Sequence, residues 1–317
     1  MLSVTIPICN EAGNLPKLYD KVQQALDKIG QPWELILVND GSSDGSDEIL
    51  DELATKDERV KVIHFRRNFG QTAAMMAGFD FAKGDIIIPL DGDLQNDPGD
   101  IPLLLAKLEE GFDVVSGWRK DRQDNAMKRN LPSILANRLI SFVSGVRLHD
   151  FGCSLKAYRR EVIQGVRIYG EMHRFLPIYA KWHGAEIAEV VVRHYARTSG
   201  SSKYGLERVL KVLADLITVK FLDRFQQKPM YLFGGVGLLF LIVCFLSGGL
   251  SLVFQLLLQS SATILAPLPL ICAITGVAGV LCILLGLLGE MNMRTFYESQ
   301  GKSVYLVKAT RNIPGGK

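Results

Sequence analysis

Apolar positions in the first part of the chain follow two alternating patterns. Short runs without internal alternation, Val4–Ile8, Trp33–Val38, Val60–Phe65, Ile86–Leu90, Phe112–Arg119 and Ile187–Val192, read as strands buried on both faces. Between them apolar residues recur at helical spacing. Leu15, Leu18, Val22, Ala25, Leu26 and Ile29 form one stripe, and further helices are expected from near Ser46, over Thr72–Ala82 and over Ile101–Leu108. Strand and helix in alternation predict an α/β fold built on a doubly wound, mostly parallel sheet. In such a sheet the ligand crevice lies beyond the carboxyl ends of the strands, so the residues just after each run are the candidates for chemistry.

From Lys120 the pattern changes. Lys120–Arg129 is a polar, basic linker, Pro132–Val143 reads as a helix, and Leu155–Tyr158 precedes another. Arg197–Gly205 is a glycine and serine loop with cations at both ends, suited either to holding phosphate oxygens or to linking two elements. Leu206–Phe225 places Leu206, Val209, Leu210, Leu213, Leu216, Ile217 and Leu222 near helical spacing among Arg208, Lys211, Lys220 and Arg224, the pattern of a basic amphipathic helix at a membrane interface. Met230–Leu258, and a second run that begins after Gln259-Ser260-Ser261 and reaches Leu288, are uncharged. Each exceeds the roughly 20 apolar residues that a span needs.

Pro267 and Pro269 are expected at the start of the second span. The loop between the spans has no Lys or Arg, whereas Lys203–Lys228 and Arg294–Lys317 are cation-rich, so both termini are expected in the cytoplasm. Gly234, Gly235, Gly237, Gly276, Gly279, Gly286 and Gly289 permit close helix packing, within or between subunits. Charge-free spans offer no ion or sugar pathway. Val304–Val307 reads as a strand whose partner edge is expected from another subunit. The resulting organisation is a cytoplasmic α/β domain over 1–203, an amphipathic juxtamembrane helix over 204–228, two spans over 229–289, and a cytoplasmic tail over 290–317.

Composition changes this picture little. Against 33 Asp and Glu stand 36 Lys and Arg, a balance that gives no electrostatic case for nucleic acid. Cys9, Cys153, Cys244, Cys272 and Cys282 form no CxxC pair and read as reduced packing residues. The histidines at 64, 149, 173, 183 and 194 show no ligand spacing. Met1–Ile6 lacks the basic lead and long apolar core of a cleavable signal.

Chemistry concentrates at the strand ends. The run Ile86–Leu90 feeds directly into Asp91-Gly92-Asp93-Leu94-Gln95, two carboxylates and an amide oxygen aimed at the crevice. These are hard oxygen ligands, suited to Mg²⁺ or Mn²⁺ carrying a diphosphate. An isolated acidic turn would more often cap a helix, but Asp40 ends Trp33–Val38 in a matching position and is assigned to the same ligand. Ser46 is assigned to capping alone.

Three segments, Pro7-Ile8-Cys9-Asn10-Glu11, Val38-Asn39-Asp40-Gly41-Ser42-Ser43-Asp44-Gly45 and Asp91-Gly92-Asp93-Leu94-Gln95, resemble the leading motifs of family 2, GT-A-fold glycosyltransferases. With Arg129–Ser133, Asp150–Ser154, Arg197–Lys203 and the two spans, the whole chain is similar to polyprenyl-phosphate glycosyltransferases, the bactoprenol glucosyltransferase and dolichyl-phosphate mannosyltransferase types. The resemblance implies that Pro7, Asn10, Glu11, Asp40, Gly70 and Asp91 hold the nucleotide. It further implies that Asp91, Asp93 and Gln95 bind metal and diphosphate, and that Arg119, Arg129, Ser133, Arg197 and Lys203 surround donor or acceptor phosphates. Asn39, where many relatives have Asp, and Cys9, where Tyr is commoner, depart from the pattern in the base-recognition region.

What this implies is inverting, metal-dependent transfer of glucose from UDP-glucose to undecaprenyl phosphate at the cytoplasmic face of a bacterial inner membrane. Mannose and an aminoarabinose-type sugar are the alternatives, and a homotetramer is implied. The acceptor phosphate is already anionic, so Asp150, beside the anomeric carbon, is expected to orient rather than to deprotonate. Rival readings are a processive polysaccharide synthase, a nucleotide-sensing scaffold and a lipid transporter. The first lacks its Gln-x-x-Arg-Trp motif here, since Trp33, Trp118 and Trp182 follow Pro32, Gly117 and Lys181.

Overall fold

The apolar runs become strands because each can be covered on both faces only inside a sheet. In the computed structural model, residues 1–120, 137–138, 140–142, 144–164, 166, 168, 172–195, 229–258, 267–298 and 305–313 are described. The first unit, Met1–Ile217 with Ser303–Lys317, contains β1 (Leu2–Ile8), α1 (Leu15–Ile29), β2 (Trp33–Asn39), α2 (Ser46–Lys56), β3 (Val60–Phe65), α3 (Gln71–Phe81), β4 (Ile86–Pro89), α4 (Ile101–Glu109) and β5 (Val114–Trp118). It continues with β6 (Lys156–Arg159), α5 (Leu176–Trp182), β7 (Ile187–Val191) and, at the far end of the chain, β8 (Val307–Arg311).

All eight strands join one sheet in the order β7-β5-β6-β4-β1-β2-β3-β8. β1 pairs in parallel with β2 on one side and β4 on the other, so the strand order reverses at β1. That reversal opens a crevice at the carboxyl ends of β1 and β4, where ligands of open α/β sheets bind. The core beneath it is built from β1 (Leu2, Val4, Ile6, Ile8), the inner stripe of α1 (Leu15, Leu18, Val22, Leu26) and α4 (Ile101, Leu104, Leu108). Each such side chain contributes about 1.5–3 kcal/mol when fully buried.

Two strands depart from the expected parallel order. β6 lies antiparallel between β4 and β5, which brings the segment before it, around Asp150, to the crevice. The C-terminal strand also differs from expectation. It spans Val307–Arg311 rather than Val304–Val307, and its partner edge is β3 of the same chain, not another subunit. Tyr305 explains the anchoring: its ring stacks on Phe65 at 5.0 Å and its hydroxyl donates to Asp80 Oδ2 at 2.9 Å.

The second unit, Thr218–Lys302, contains α6 (Pro229–Leu258) and α7 (Pro267–Glu298). Both are long and apolar enough to cross a membrane over Leu232–Gln255 and Pro267–Gly289. Pro267 opens α7, where its missing N–H costs no helix bond. Gly237, Gly276, Gly279 and Gly286 lie at contacts between α6 and α7. A side chain at Gly237 would meet the Gly279 carbonyl at 2.8 Å, and seven residues away Cys244 and Cys272 face each other at 3.4 Å. Small residues at this spacing let two backbones approach closely.

Candidate active site

The loops after β1 and β2 are stitched together at the crevice. Asn10 turns with φ of 59°, which lets its Oδ1 accept from Ser43 N at 2.8 Å while its own N–H donates to Ser42 Oγ at 3.0 Å. Glu11 N donates to Ser46 Oγ at 3.2 Å and Ala12 N to Asp44 Oδ2 at 2.9 Å. Ser46, expected only to cap α2, is instead its first residue behind Gly45 as N-cap, and its hydroxyl ties the Glu11 backbone to Asp44 rather than capping the helix. Pro7 precedes these residues at the end of β1, opposite Val38.

Asp40 accepts from the backbone of the loop after β3, from Phe69 N at 2.6 Å and Gly70 N at 3.0 Å. Its carboxyl is pushed up by burial, which outweighs these two donors and the Arg67 charge. Gly41 is required beside it. At φ of 66°, a Cβ would stand 2.6 Å from the Arg67 carbonyl carbon, inside van der Waals contact. Asn10, Glu11, Asp40 and Gly70 are therefore brought together. In this structure the observed partners of Asp40 belong to its own fold, so it shapes the Phe69–Gly70 backbone that borders the crevice.

The carboxylates after β4 lie at the other side of the switch point. Gln71, the first residue of α3, donates Nε2 to Asp91 Oδ1 at 2.9 Å, and the Ser154 hydroxyl also bonds Asp91. Burial and then the neighbouring Asp93 charge push the Asp91 carboxyl up. Asp93 Oδ1 accepts from Gln95 N at 3.2 Å, and Leu94 between them sits at φ of 59°. Such a backbone is rare for leucine, and departures of this kind cluster at ligand sites. Gly92, between Asp91 and Asp93, packs closely on β1, where a Cβ would come 2.9 Å from the tip of the Ile8 side chain.

Among the described residues no three His, Cys, Asp or Glu side chains gather to enclose a metal unaided. The Asp91 and Asp93 pair nevertheless fits a divalent cation that takes its remaining oxygens from a bound diphosphate. A half-buried carboxylate lifted by desolvation and then by a buried carboxylate beside it is the charge arrangement that a cation relieves.

A third cluster comes from the β5 and β6 ends. Arg119 donates Nε to Asp150 Oδ2 at 2.7 Å and Nη2 to Oδ1 at 3.1 Å, a bidentate pair with Asp150 only 1% exposed. Gly152 N donates to Asp150 Oδ1 at 3.0 Å. Glu189 on β7 accepts from the backbone of His149 and Asp150, and from the ring of His149, which stacks on Trp118 at 4.2 Å. Beneath the loop lies Lys156, 4% exposed, donating to the carbonyls of Phe151 and Cys153. Burial pushes its ammonium down, against the opposing charges of Asp150 and Asp91.

Arg119 and Asp150, expected at a phosphate and at the sugar respectively, thus hold each other. Arg129, Ser133, Arg197, Lys203 and the amphipathic Leu206–Phe225 stretch lie outside the described residues. Gln71, Lys156 and Glu189 were not singled out by motif. Lys156 left one signal, a lone cation inside the otherwise apolar run before Tyr158.

Residues 3–167 match the family model "Glycosyl transferase family 2". Over 97% of this chain and 92% of the relative, the sequence is 39% identical to a dodecaprenyl-phosphate galacturonate synthase of Rhizobium johnstonii. Over 97% of this chain and 91% of the relative, it is 36% identical to an undecaprenyl-phosphate 4-deoxy-4-formamido-L-arabinose transferase of Shewanella sediminis. Among solved structures, glucosyl-3-phosphoglycerate synthase of Mycobacterium tuberculosis, in complex with Mn²⁺, UDP and phosphoglyceric acid, superposes with a TM-score of 0.54. At 17% identity, covering 70% of this chain and 78% of that one, it supports the GT-A-like fold. On the family match and these relatives, the chain belongs to glycosyl transferase family 2 and is a glycosyltransferase of its polyprenyl-phosphate group.

Proposed function

We propose that this protein transfers a sugar from a nucleotide donor to the phosphate of a membrane polyprenyl phosphate, inverting the anomeric carbon. The observation that carries this reading is similarity along nearly the whole chain, spans included, to two transferases named for polyprenyl-phosphate acceptors. The sugar follows the same relatives. Their names carry galacturonate and formamido-arabinose, so a UDP-linked sugar of that kind takes the place of the glucose expected by resemblance.

Asn10, Glu11 and Gly70, with Pro7 and Asp40 behind them, border the nucleotide. Asp91, Asp93 and Gln95 would hold Mg²⁺ or Mn²⁺, which supplies neutralising charge to the diphosphate leaving group. The acceptor phosphate carries its negative charge near neutral pH and needs no base to attack. Asp150, committed to Arg119 and Gly152 N, acts as an orienting anion: it holds the Arg119 guanidinium flat for a phosphate. Attack forms a bond from a phosphate oxygen to the anomeric carbon as the bond to the nucleoside diphosphate breaks. Arg129, Ser133, Arg197 and Lys203 complete the phosphate contacts in this reading.

In the same proposal α6 and α7 span the bacterial inner membrane with both termini cytoplasmic, and the protein is a homo-oligomer, a tetramer. Purified protein supplied with undecaprenyl phosphate, Mg²⁺ and labelled UDP-galacturonate, UDP-formamidoarabinose, UDP-glucose or GDP-mannose tests the donor. Label entering the organic phase from one of the first two is expected. Label from UDP-glucose or GDP-mannose alone overturns the sugar assignment, and label from none overturns the acceptor.

A further inference from the structure

The loop assigned to the nucleotide is connected to the C-terminal strand by a buried chain of hydrogen bonds. Asn39, the last residue of β2, is 4% exposed, and His64 on β3 is 7% exposed. Asn39 Oδ1 accepts from Ser42 N at 2.9 Å, and this backbone donor fixes which end of the amide faces the turn. The other end, Nδ2, meets His64 Nδ1 at 3.0 Å. An amide nitrogen only donates, so His64 Nδ1 must be bare and accept. The ring proton then sits on Nε2, which donates to Asp51 Oδ1 at 3.0 Å. Arg311 of β8 donates to the other oxygen, Asp51 Oδ2, at 2.8 Å.

We propose that His64 is a positioning residue for the nucleotide loop: as the neutral Nε2–H tautomer, it locks the Asn39 amide in the orientation that shapes the turn at Ser42. This rests on reading the loops after β1 and β2 as the nucleotide site. The consequence reaches Asn10 in one further step, because the Ser42 hydroxyl accepts from Asn10 N and Ser43 N donates to Asn10 Oδ1. It also gives the strand that follows the membrane helices a part in the site, since Arg311 and Asp51 hold the far side of the ring.

Among the described residues, the charged groups hydrogen-bonded to His64 or to its partner are Asp51 from α2 and, beyond it, Arg311 from β8, while β2 presents the neutral Asn39. Protonating Nδ1 would set an N–H against the N–H of Asn39. The amide would have to turn and release Ser42 N, so protonation of the ring would weaken nucleotide binding. Asp at position 39 reverses the sign. A carboxylate facing Nδ1 favours the doubly protonated ring, and at high pH two acceptors oppose each other.

The test is calorimetric binding of UDP-galacturonate, whose charge is constant over the range used, to the detergent-solubilised full chain with Mg²⁺ at about pH 6 and about pH 8.5. Wild type should bind more weakly at the lower pH and Asn39→Asp more weakly at the higher. The ratio of their affinities should change by about tenfold or more between the two pH values. That ratio cancels whatever titrates elsewhere in the site. His64→Gln, which has no titrating ring, should flatten the wild-type slope. Parallel slopes in wild type and Asn39→Asp overturn the proposal while leaving the nucleotide site standing. Absence of binding by wild type at both values overturns the nucleotide reading, and the role of His64 falls with it.

Discussion

Arg119 and Asp150 form a two-pronged ion pair, Nε to Oδ2 at 2.7 Å and Nη2 to Oδ1 at 3.1 Å, across the ends of β5 and the loop before β6. Both partners are withdrawn from water, with side chains 14% and 2% exposed. Removing one charge from such a pair leaves the other buried and uncompensated, at a cost of about 3–5 kcal/mol. Arg119→Met should therefore lower the thermal midpoint of the purified protein. Arg119→Lys should recover much of the stability but little transfer, since an ammonium cannot reproduce the planar fork. Asp150→Asn, nearly isosteric, should reduce turnover about 100-fold with donor affinity unchanged, a loss typical of one preorganised polar group. Full turnover in Asp150→Asn would remove Asp150 from its orienting role.

Asp91 and Asp93 carry the second prediction. Asp93→Ala should cut transfer by about 10²–10³-fold. It should also abolish the rise in thermal midpoint that Mn²⁺ with donor gives the wild type, since a ligand that binds only the folded state stabilises it. EDTA should mimic the variant in the wild type. A variant that keeps both the midpoint shift and the activity would place the metal elsewhere.

His173 predicts how stability varies with pH. Its Nδ1 lies 2.8 Å from Thr72 Oγ1, and burial, followed by the Arg174 and Lys156 charges, pushes the imidazole down to about 3. The unfolded chain takes up that proton near pH 6.5, its ordinary value. Between these values the unfolded state binds a proton that the folded state refuses, so stability should decline as the pH falls below about 6.5. His173→Gln should show a shallower decline in denaturant titrations at about pH 6.5 and about pH 4.5. Equal slopes would mean that the ring is protonated in the fold.

The strands of the first unit were legible because each apolar run had to be covered on two faces, and the observed elements begin and end within a few residues of the runs. The place of Asp91 and Asp93 just past the end of β4 was legible for the same reason, since the run ending at Leu90 marks where the strand stops. β6 was not. Its four residues, Lys156–Arg159, carry a buried lysine and an arginine, and nothing local distinguishes an antiparallel insertion from one more parallel strand. The home of β8 was equally hidden, because the Tyr305 contacts that fix it are with Phe65 and Asp80, far back in the chain. The ion pair of Arg119 and Asp150 was obscured by motif reasoning itself, which assigned each residue to the substrate and so did not pair them.

Transfer to the lipid phosphate can be followed by ³¹P NMR of undecaprenyl phosphate incubated with the purified protein, Mg²⁺ and UDP-galacturonate or UDP-formamidoarabinose. The lipid phosphomonoester signal should be replaced by that of a phosphodiester, with UDP released in equal amount and the sugar inverted at its anomeric carbon. An unchanged monoester while the donor is hydrolysed, or a phosphodiester with the donor's configuration retained, would contradict the proposed inverting transfer.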